Sequence, residues 1–334
     1  MRFVFVSESV ERVRGGIERH AEGMVAELRR RGHDARVVRP ADLTRAQGLA
    51  ADWLVFDGVH RSTIVRHARK RSGRPGLAIF SHSSFLDEIH LDELRRGDWS
   101  PSLHLQARRW FDRWFGRLLF GRLDCWFVLT DGEATDVVRF LGVPNARVTT
   151  LGPFVSREFL EAAAAPPRRP PISGSYVCSV SRIDRRKNFG TLLAALEDSP
   201  HRFVLAGQDR GGLAELEVAA QRYPAARWEY LGTVSEEEKV AMMRGAAAVV
   251  IPSVSEGVPA LALEALVLGR PVVLAGLAYG PEGPGVVRCS ADPSGLRAAI
   301  GTATNLPPWS PLAPPTVEGS VDAFLAALAG PAPG

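Results

Sequence analysis

Apolar positions fall into short extended runs separated by amphipathic stretches at helical spacing. Arg2-Phe-Val-Phe-Val-Ser7 reads as a short apolar strand that leads into a loop ending at Gly15-Gly16. Ile17, Ala21, Met24, Val25 and Leu28 then recur with helical period, and Gly32 follows where a helix end favours a residue with positive φ. Ala35 to Val38 returns to an extended pattern. A strand, helix, strand unit of this kind predicts a parallel sheet with right-handed crossovers.

The alternation continues through Trp53 to Phe56, Leu77 to Phe80, Cys125 to Leu129 and Arg147 to Leu151. Ala162 to Pro171, which reads AAAAPPRRPP, supports neither a regular strand nor a full helix, and it marks a boundary. A second alternating series runs from Tyr176 to Leu274. The expected organisation is an N-terminal Rossmann-like domain over 1–161, a linker over 162–172, a second Rossmann-like domain over 173–315, and a tail over 316–334 whose amphipathic end is Val321 to Leu328. The fold class predicted is α/β, with two doubly wound parallel-sheet domains and a ligand cleft at the carboxyl edges of their strands.

Composition narrows this picture. The 334 residues are 46% hydrophobic and 23% charged, ordinary for a globular chain, and the length favours two domains. No apolar run approaches the roughly 18 to 20 residues that cross a bilayer, and Met1 to Ser7 enters a strand without a signal-peptide core, so a soluble cytoplasmic protein is expected. Cys125, Cys178 and Cys289 lie far apart in apolar surroundings and read as small core residues. The net charge is +4, with the basic excess in the N-terminal half. Only Lys70, Lys187 and Lys239 of the 41 basic residues are lysine, which points to a coding bias, so arginine abundance does not argue for nucleic acid as a partner.

The strongest chemical signal is Ser255-Glu-Gly-Val-Pro-Ala-Leu-Ala-Leu-Glu-Ala265, directly after the apolar run Val249 to Ile251. Pro259 suits the first helical position, so the backbone of Gly257, Val258, Pro259, Ala260 and Leu261 forms a helix N-terminus, which stabilises a phosphate by donors and dipole together. Glu256 precedes that helix and Glu264 lies more than a turn inside it. The bland alternative makes them a loop charge and a helix-face charge. The second signal is Ser181-Arg-Ile-Asp-Arg-Arg-Lys-Asn188, which brings Arg182 and Lys187 to the carboxyl end of a strand, where they can grip a diphosphate. A plain basic loop is its alternative.

Together, "SRIDRRKN" and "SEGVPALALEA" resemble the retaining nucleotide-sugar glycosyltransferases of family 4, which have the GT-B fold. "RGGIERH" at Arg14 to His20, "FSHSS" at Phe80 to Ser84, "VLTDGEATDVV" at Val128 to Val138 and "YLGTVSEEEKVAMMRGAAAVVIPS" at Tyr230 to Ser253 agree with it. The resemblance implies that Arg182 and Lys187 bind the donor pyrophosphate, that Glu264 accepts from the ribose hydroxyls, and that Glu256 lies at the sugar-ring hydroxyls. It implies also that the backbone of Gly15 and Gly16 closes over the phosphates and that His82 stands beside the transferred sugar. The donor would be a UDP- or GDP-sugar and the acceptor a hydroxyl of a sugar, an aminocyclitol or another polar metabolite. No metal or other cofactor is implied, and the chain has no Asp-x-Asp triplet. Departures from the pattern are Val258-Pro259-Ala260, where Pro259 removes one phosphate donor, and Leu151 to Val155 in place of Asn-Gly-Val.

Other features leave alternatives open. Ala107, Trp110, Phe111, Trp114, Phe115, Leu118 and Leu119 make a helical stripe flanked by arginines within 104–122, which reads as core packing or, alternatively, as peripheral contact with an anionic membrane and a lipid-linked or polysaccharide acceptor. Ser83 to Ser100 is placed to line an acceptor site or to act as a lid. His20, beside Ala21 and Met24, reads as a packed helix histidine. The rival enzyme class is a non-hydrolysing sugar-nucleotide epimerase; a dinucleotide-dependent oxidoreductase lacks its Gly-x-Gly-x-x-Gly signature here, and a binding-only relative would be expected to lose one of the four charged residues.

Overall fold

The computed structural model describes residues 1–7, 16–44, 50–58, 64, 75–81, 115, 116, 118, 120–166 and 172–329. It divides into two compact units, Met1–Phe154 with Pro315–Gly334, and Val155–Pro314.

In the first unit the strands are β1 (Arg2–Val6), β2 (Asp34–Val38), β3 (Trp53–Asp57), β4 (Gly76–Phe80), β5 (Cys125–Val128) and β6 (Val148–Thr150). They pair in parallel in the order β2-β1-β3-β4-β5-β6, so the order reverses between β1 and β3. Helix Gly16–Arg30 buries Ala21, Met24, Val25 and Leu28, and the chain turns at Gly32, whose φ is 83°. His20 is buried between the rings of Phe80 and Phe154, at 4.7 and 4.1 Å between centroids. The "VLTDGEATDVV" segment is a helix start. Thr130 caps helix Asp131–Leu141 by accepting from the Glu133 N–H at 3.2 Å, and the buried Glu133 carboxylate accepts from the Leu129 N–H at 3.0 Å and from the Ser81 hydroxyl.

The C-terminal segment belongs to this unit. Helix Val317–Ala329 buries Ser320, Val321, Phe324 and Leu328, one stripe at helical period, and sets Phe324 against Phe3, Phe5 and Phe127. It is longer than the amphipathic end expected from Val321 to Leu328, because Val317 to Ser320 and Ala329 are helical as well. Arg31 ties it down by donating to Asp322 at 2.5 Å and to the Glu318 carbonyl at 3.0 Å.

In the second unit β7 (Tyr176–Val180), β8 (Arg202–Ala206), β9 (Trp228–Tyr230), β10 (Ala248–Ile251), β12 (Val272–Ala275) and β14 (Val286–Cys289) form a parallel sheet in the order β14-β12-β10-β7-β8-β9. The order reverses between β7 and β10, and at such a switch point the loops leaving the two carboxyl ends diverge and open a ligand crevice. Alternate residues of these strands pack into two cores, one with Phe159, Val240 and Met243, the other with Leu192, Leu296 and Ile300. Burial on both faces explains why the strands read as continuous apolar runs. Helix Arg157–Ala164 lies in this unit and takes in the first three residues of the Ala162 to Pro171 stretch, of which 167–171 lie outside the described residues. Also outside them are 82–114, and with them most of the arginine-flanked stripe and the whole Ser83 to Ser100 loop. Cys178 is buried, and burial pushes its thiol up to about 12. Among the described residues no helix is long and apolar enough to cross a membrane.

Candidate functional site

The switch point of the second unit is assembled from the loops that follow β7 and β10. After β7 the chain passes Ser181 and Arg182, and Asp184 then starts a single tight turn, Arg185–Lys187, by accepting from the Arg186 N–H at 3.1 Å. Asn188 closes the turn in the left-handed region, with φ 58°, the one positive-φ non-glycine residue among those described. Asparagine tolerates this conformation, and its side chain uses it. Nδ2 of Asn188 donates to the carbonyls of Pro252, just past β10, at 3.1 Å and of Ala291, just past β14, at 3.0 Å. The Val254 N–H also donates to the Arg186 carbonyl at 3.0 Å.

This bonding sets Lys187 over the β10 loop. Its ammonium donates to Glu256 Oε1, and the Ser253 hydroxyl donates to the same oxygen at 2.7 Å. Glu256 retains 9% of its exposure and sits on the two-residue strand β11 (Ser255–Glu256), paired with β13 (Leu277–Ala278). Burial pushes its carboxyl up, but the Lys187 ammonium, the Arg186 guanidinium and the two hydrogen bonds outweigh it and hold the group below its ordinary value. Arg182, half-buried in the same β7 loop, has no carboxylate partner among the described residues.

Close backbone approach fixes the flanking loops. Gly207, after β8, has φ 132°, and a Cβ there would lie 1.9 Å from the Ser181 carbonyl oxygen. Gly276, after β12, has φ 63°, and a Cβ there would lie 2.3 Å from the Val254 oxygen and 2.6 Å from that of Ser253. Neither position admits a side chain.

Helix Ala260–Val267 follows β11. Pro259, expected as its first residue, is instead its N-cap, because its ψ of 111° is extended; the helix begins one residue later. Pro259 makes no side-chain capping bond, and the first turn has no acidic residue. The Ala262 N–H reaches the Pro259 carbonyl at 2.9 Å, which leaves the N–H groups of Val258, Ala260 and Leu261 as those nearest the helix start.

Glu264 lies inside this helix at 4% exposure, between Leu263 and Ala265, which are also buried. The structure joins it to Lys239 of helix Glu236–Gly245, whose Nζ donates to Glu264 Oε1 at 2.7 Å and to Glu236 Oε2 at 3.1 Å. Sequence reading did not find this partner, nor Ser253 and the bonds from the Asn188 side chain to Pro252 and Ala291. A lysine among Val240, Met242 and Met243 in a helix interior was the signal for the first. In the first unit Gly16 opens helix Gly16–Arg30, while Gly15 and His82 lie outside the described residues. Among the described residues no group of three or more His, Cys, Asp and Glu side chains is arranged to hold a metal ion.

Residues 168–283, which include both loops, match the family described as Glycosyl transferases group 1. No curated protein sequence matches the chain. Among solved structures, sucrose-phosphate synthase from Thermosynechococcus elongatus aligns with a TM-score of 0.69 at 16% identity, covering 98% of this chain and 94% of that one. A glycosyltransferase from Rickettsia africae aligns with a TM-score of 0.68 at 9% identity, covering 99% of each chain. The lipopolysaccharide outer core galactosyltransferase WaaB in its apo form aligns with a TM-score of 0.65 at 14% identity, covering 98% of this chain and 99% of that one. The fold, two parallel-sheet α/β units of six strands each, is therefore that of the GT-B glycosyltransferases, with the group 1 family match seated in the second unit.

Proposed function

We propose that the protein is a retaining glycosyltransferase that moves a sugar from a UDP- or GDP-sugar to a hydroxyl of a polar acceptor, a sugar or an aminocyclitol, without a metal ion. The observation behind this reading is the junction at the β7/β10 switch point. There a half-buried Arg182, without a carboxylate partner among the described residues, and the Lys187–Glu256 pair share one crevice edge with the loop that leads into a helix N-terminus. Fixed cations and a helix start form an anion site suited to a diphosphate. The group 1 family match over 168–283 supports the same assignment.

On this reading Arg182 and Lys187 hold the pyrophosphate and neutralise the departing nucleoside diphosphate, together with the N–H groups of Val258, Ala260 and Leu261. Glu256, steadied by Lys187 and Ser253, accepts from a sugar-ring hydroxyl. Glu264 accepts from the ribose hydroxyls. The roles that the family resemblance implies for Gly15, Gly16 and His82 belong to the same proposal. The acceptor oxygen attacks the anomeric carbon on the face the diphosphate leaves, the bond to the phosphate oxygen breaks, and that phosphate takes the acceptor proton, so the configuration is retained.

A thermal-shift screen against UDP, GDP, ADP, dTDP and their sugars, with and without chelator, tests the donor site. Saturation at 100 times Kd adds about 2.7 kcal/mol. UDP or GDP should stabilise the protein in chelator, with the shift diminished in both Arg182→Ala and Glu264→Ala. A screen in which no nucleotide shifts the wild type would sink the reading, and an inverted product anomer by NMR would sink the mechanism.

A further inference from the structure

We propose that Lys239 is the positioning residue for the nucleoside end of the donor: its ammonium fixes Oε1 of Glu264 and leaves Oε2 to accept from the ribose hydroxyls. This inference rests on the reading of Glu264 as the ribose acceptor and deepens it.

Lys239 is 6% exposed and stands in the core beside Val240, Met242 and Met243. Besides its bonds to Glu264 and Glu236, it lies over the Phe159 ring, 5.0 Å from the centroid. A buried ion pair is a poor source of stability, since well-packed apolar residues of the same volume serve as well or better. The surroundings are those in which methionine would pack, so core formation does not explain a lysine. Composition sharpens the point. Nearly every cation of the chain is arginine, yet two of its three lysines stand on the two glutamates of the "SEGVPALALEA" motif, Lys187 on Glu256 and Lys239 on Glu264. An ammonium is a compact point charge that bonds one carboxylate oxygen, whereas a guanidinium fork tends to engage both and would take the oxygen the ribose needs. Glu236 supplies the ammonium with a second carboxylate, so Lys239 stays paired while Glu264 is shared with a ligand.

Calorimetric affinities of UDP against 2′-deoxy-UDP, and of GDP against 2′-deoxy-GDP, test this. For the nucleotide that binds, the wild type should prefer the ribonucleotide by about tenfold or more, the worth of a charge-assisted hydrogen bond. Lys239→Met should bring that ratio to within about threefold while weakening the deoxynucleotide, which keeps only its 3′ hydroxyl, much less than the ribonucleotide, because the diphosphate is held elsewhere. Lys239→Gln, which keeps a neutral NH2 donor and some of the volume, should give an intermediate ratio and provides the reading if the methionine variant does not fold. A merely structural lysine would weaken both nucleotides alike, and a full wild-type ratio in either folded variant overturns the proposal. If neither UDP nor GDP binds the wild type, or if Glu264→Gln keeps the full ratio, the assignment of Glu264 itself fails and the inference falls with it.

Discussion

Glu27 in the first unit takes its cations from its own helix and the residue after it, whereas Glu256 in the second takes its cation from a loop on another strand. Both carboxylates are buried, Glu27 at 2% exposure. Arg30 donates to both oxygens of Glu27 at 2.7 Å and Arg31 to one at 2.7 Å, from positions three and four residues ahead. Arg31 then continues to Asp322, so the cluster fastens the C-terminal helix to its unit. Glu256 meets Lys187 across 69 positions of sequence, at a sheet switch point whose β7 loop also carries Arg182, which has no carboxylate partner among the described residues. The difference separates an internal fastening from the site proposed for a ligand: the first meets its carboxylate with local arginines and ends on a second carboxylate of the same unit, the second gathers charge from separate loops at the carboxyl ends of two strands.

Breaking the second pair should have the largest effect. Lys187→Met leaves the Glu256 carboxylate buried without its ammonium, which costs about 3–5 kcal/mol in denaturant unfolding. It should also abolish the nucleotide-induced thermal shift. Combining it with Glu256→Gln should recover most of the stability and none of the shift. If the double variant regained the shift, Lys187 would be a structural cation like Arg30.

Glu27→Gln is the matching test on the other side, with a smaller expected loss of about 1–3 kcal/mol, because the two arginines keep access to water. Nucleotide affinity should stay at the wild-type value. The pH dependence has a definite sign. Hydrogen bonds from Arg30 and Arg31, against burial, lower the Glu27 carboxyl from 4.5 to about 2. A carboxyl lowered on folding contributes stability that is full above its unfolded value and is lost as pH falls through the folded one. The wild type should therefore lose this contribution between about pH 5 and pH 2, and Glu27→Gln should show a flatter stability profile over that window. Parallel wild-type and variant profiles would refute the assignment.

How far each region could be read from sequence follows the same division. The strands of both units were legible because parallel strands buried on two faces are continuous apolar runs, as in Val249 to Ile251 and Val272 to Leu274. Arg182, Lys187 and Glu256 were legible as two charged motifs that directly follow strand-like runs, and the structure brings Lys187 onto Glu256. Lys239 was not, because its approach to Glu264 depends on how two helices pack, which no spacing encodes. Pro259 fell one position from its expected place, since a proline's fixed φ suits both the cap and the first helical residue and only ψ separates them. The return of helix Val317–Ala329 to the first unit rests on Phe324 meeting Phe3, Phe5 and Phe127, again a matter of packing.

The smallest expected effect lies in the turn that joins these levels. Asn188 is the left-handed residue directly after Lys187, and its amide spans two strand ends, so it should govern how firmly the ammonium is held over Glu256. Glycine adopts that φ without strain, so Asn188→Gly removes the side-chain bonds, namely the two donations and the bond that Oδ1 accepts from the Thr191 hydroxyl at 2.5 Å, and adds no backbone strain. The stability loss should be about 1–2 kcal/mol, and nucleotide affinity should fall by roughly threefold to tenfold through a looser Lys187. Asn188→Ala should destabilise further, by about 1–2 kcal/mol, since its Cβ strains the left-handed backbone. If calorimetry gives Asn188→Gly wild-type nucleotide affinity together with the expected stability loss, the bonds to Pro252 and Ala291 serve the sheet alone, and Lys187 holds its place without them.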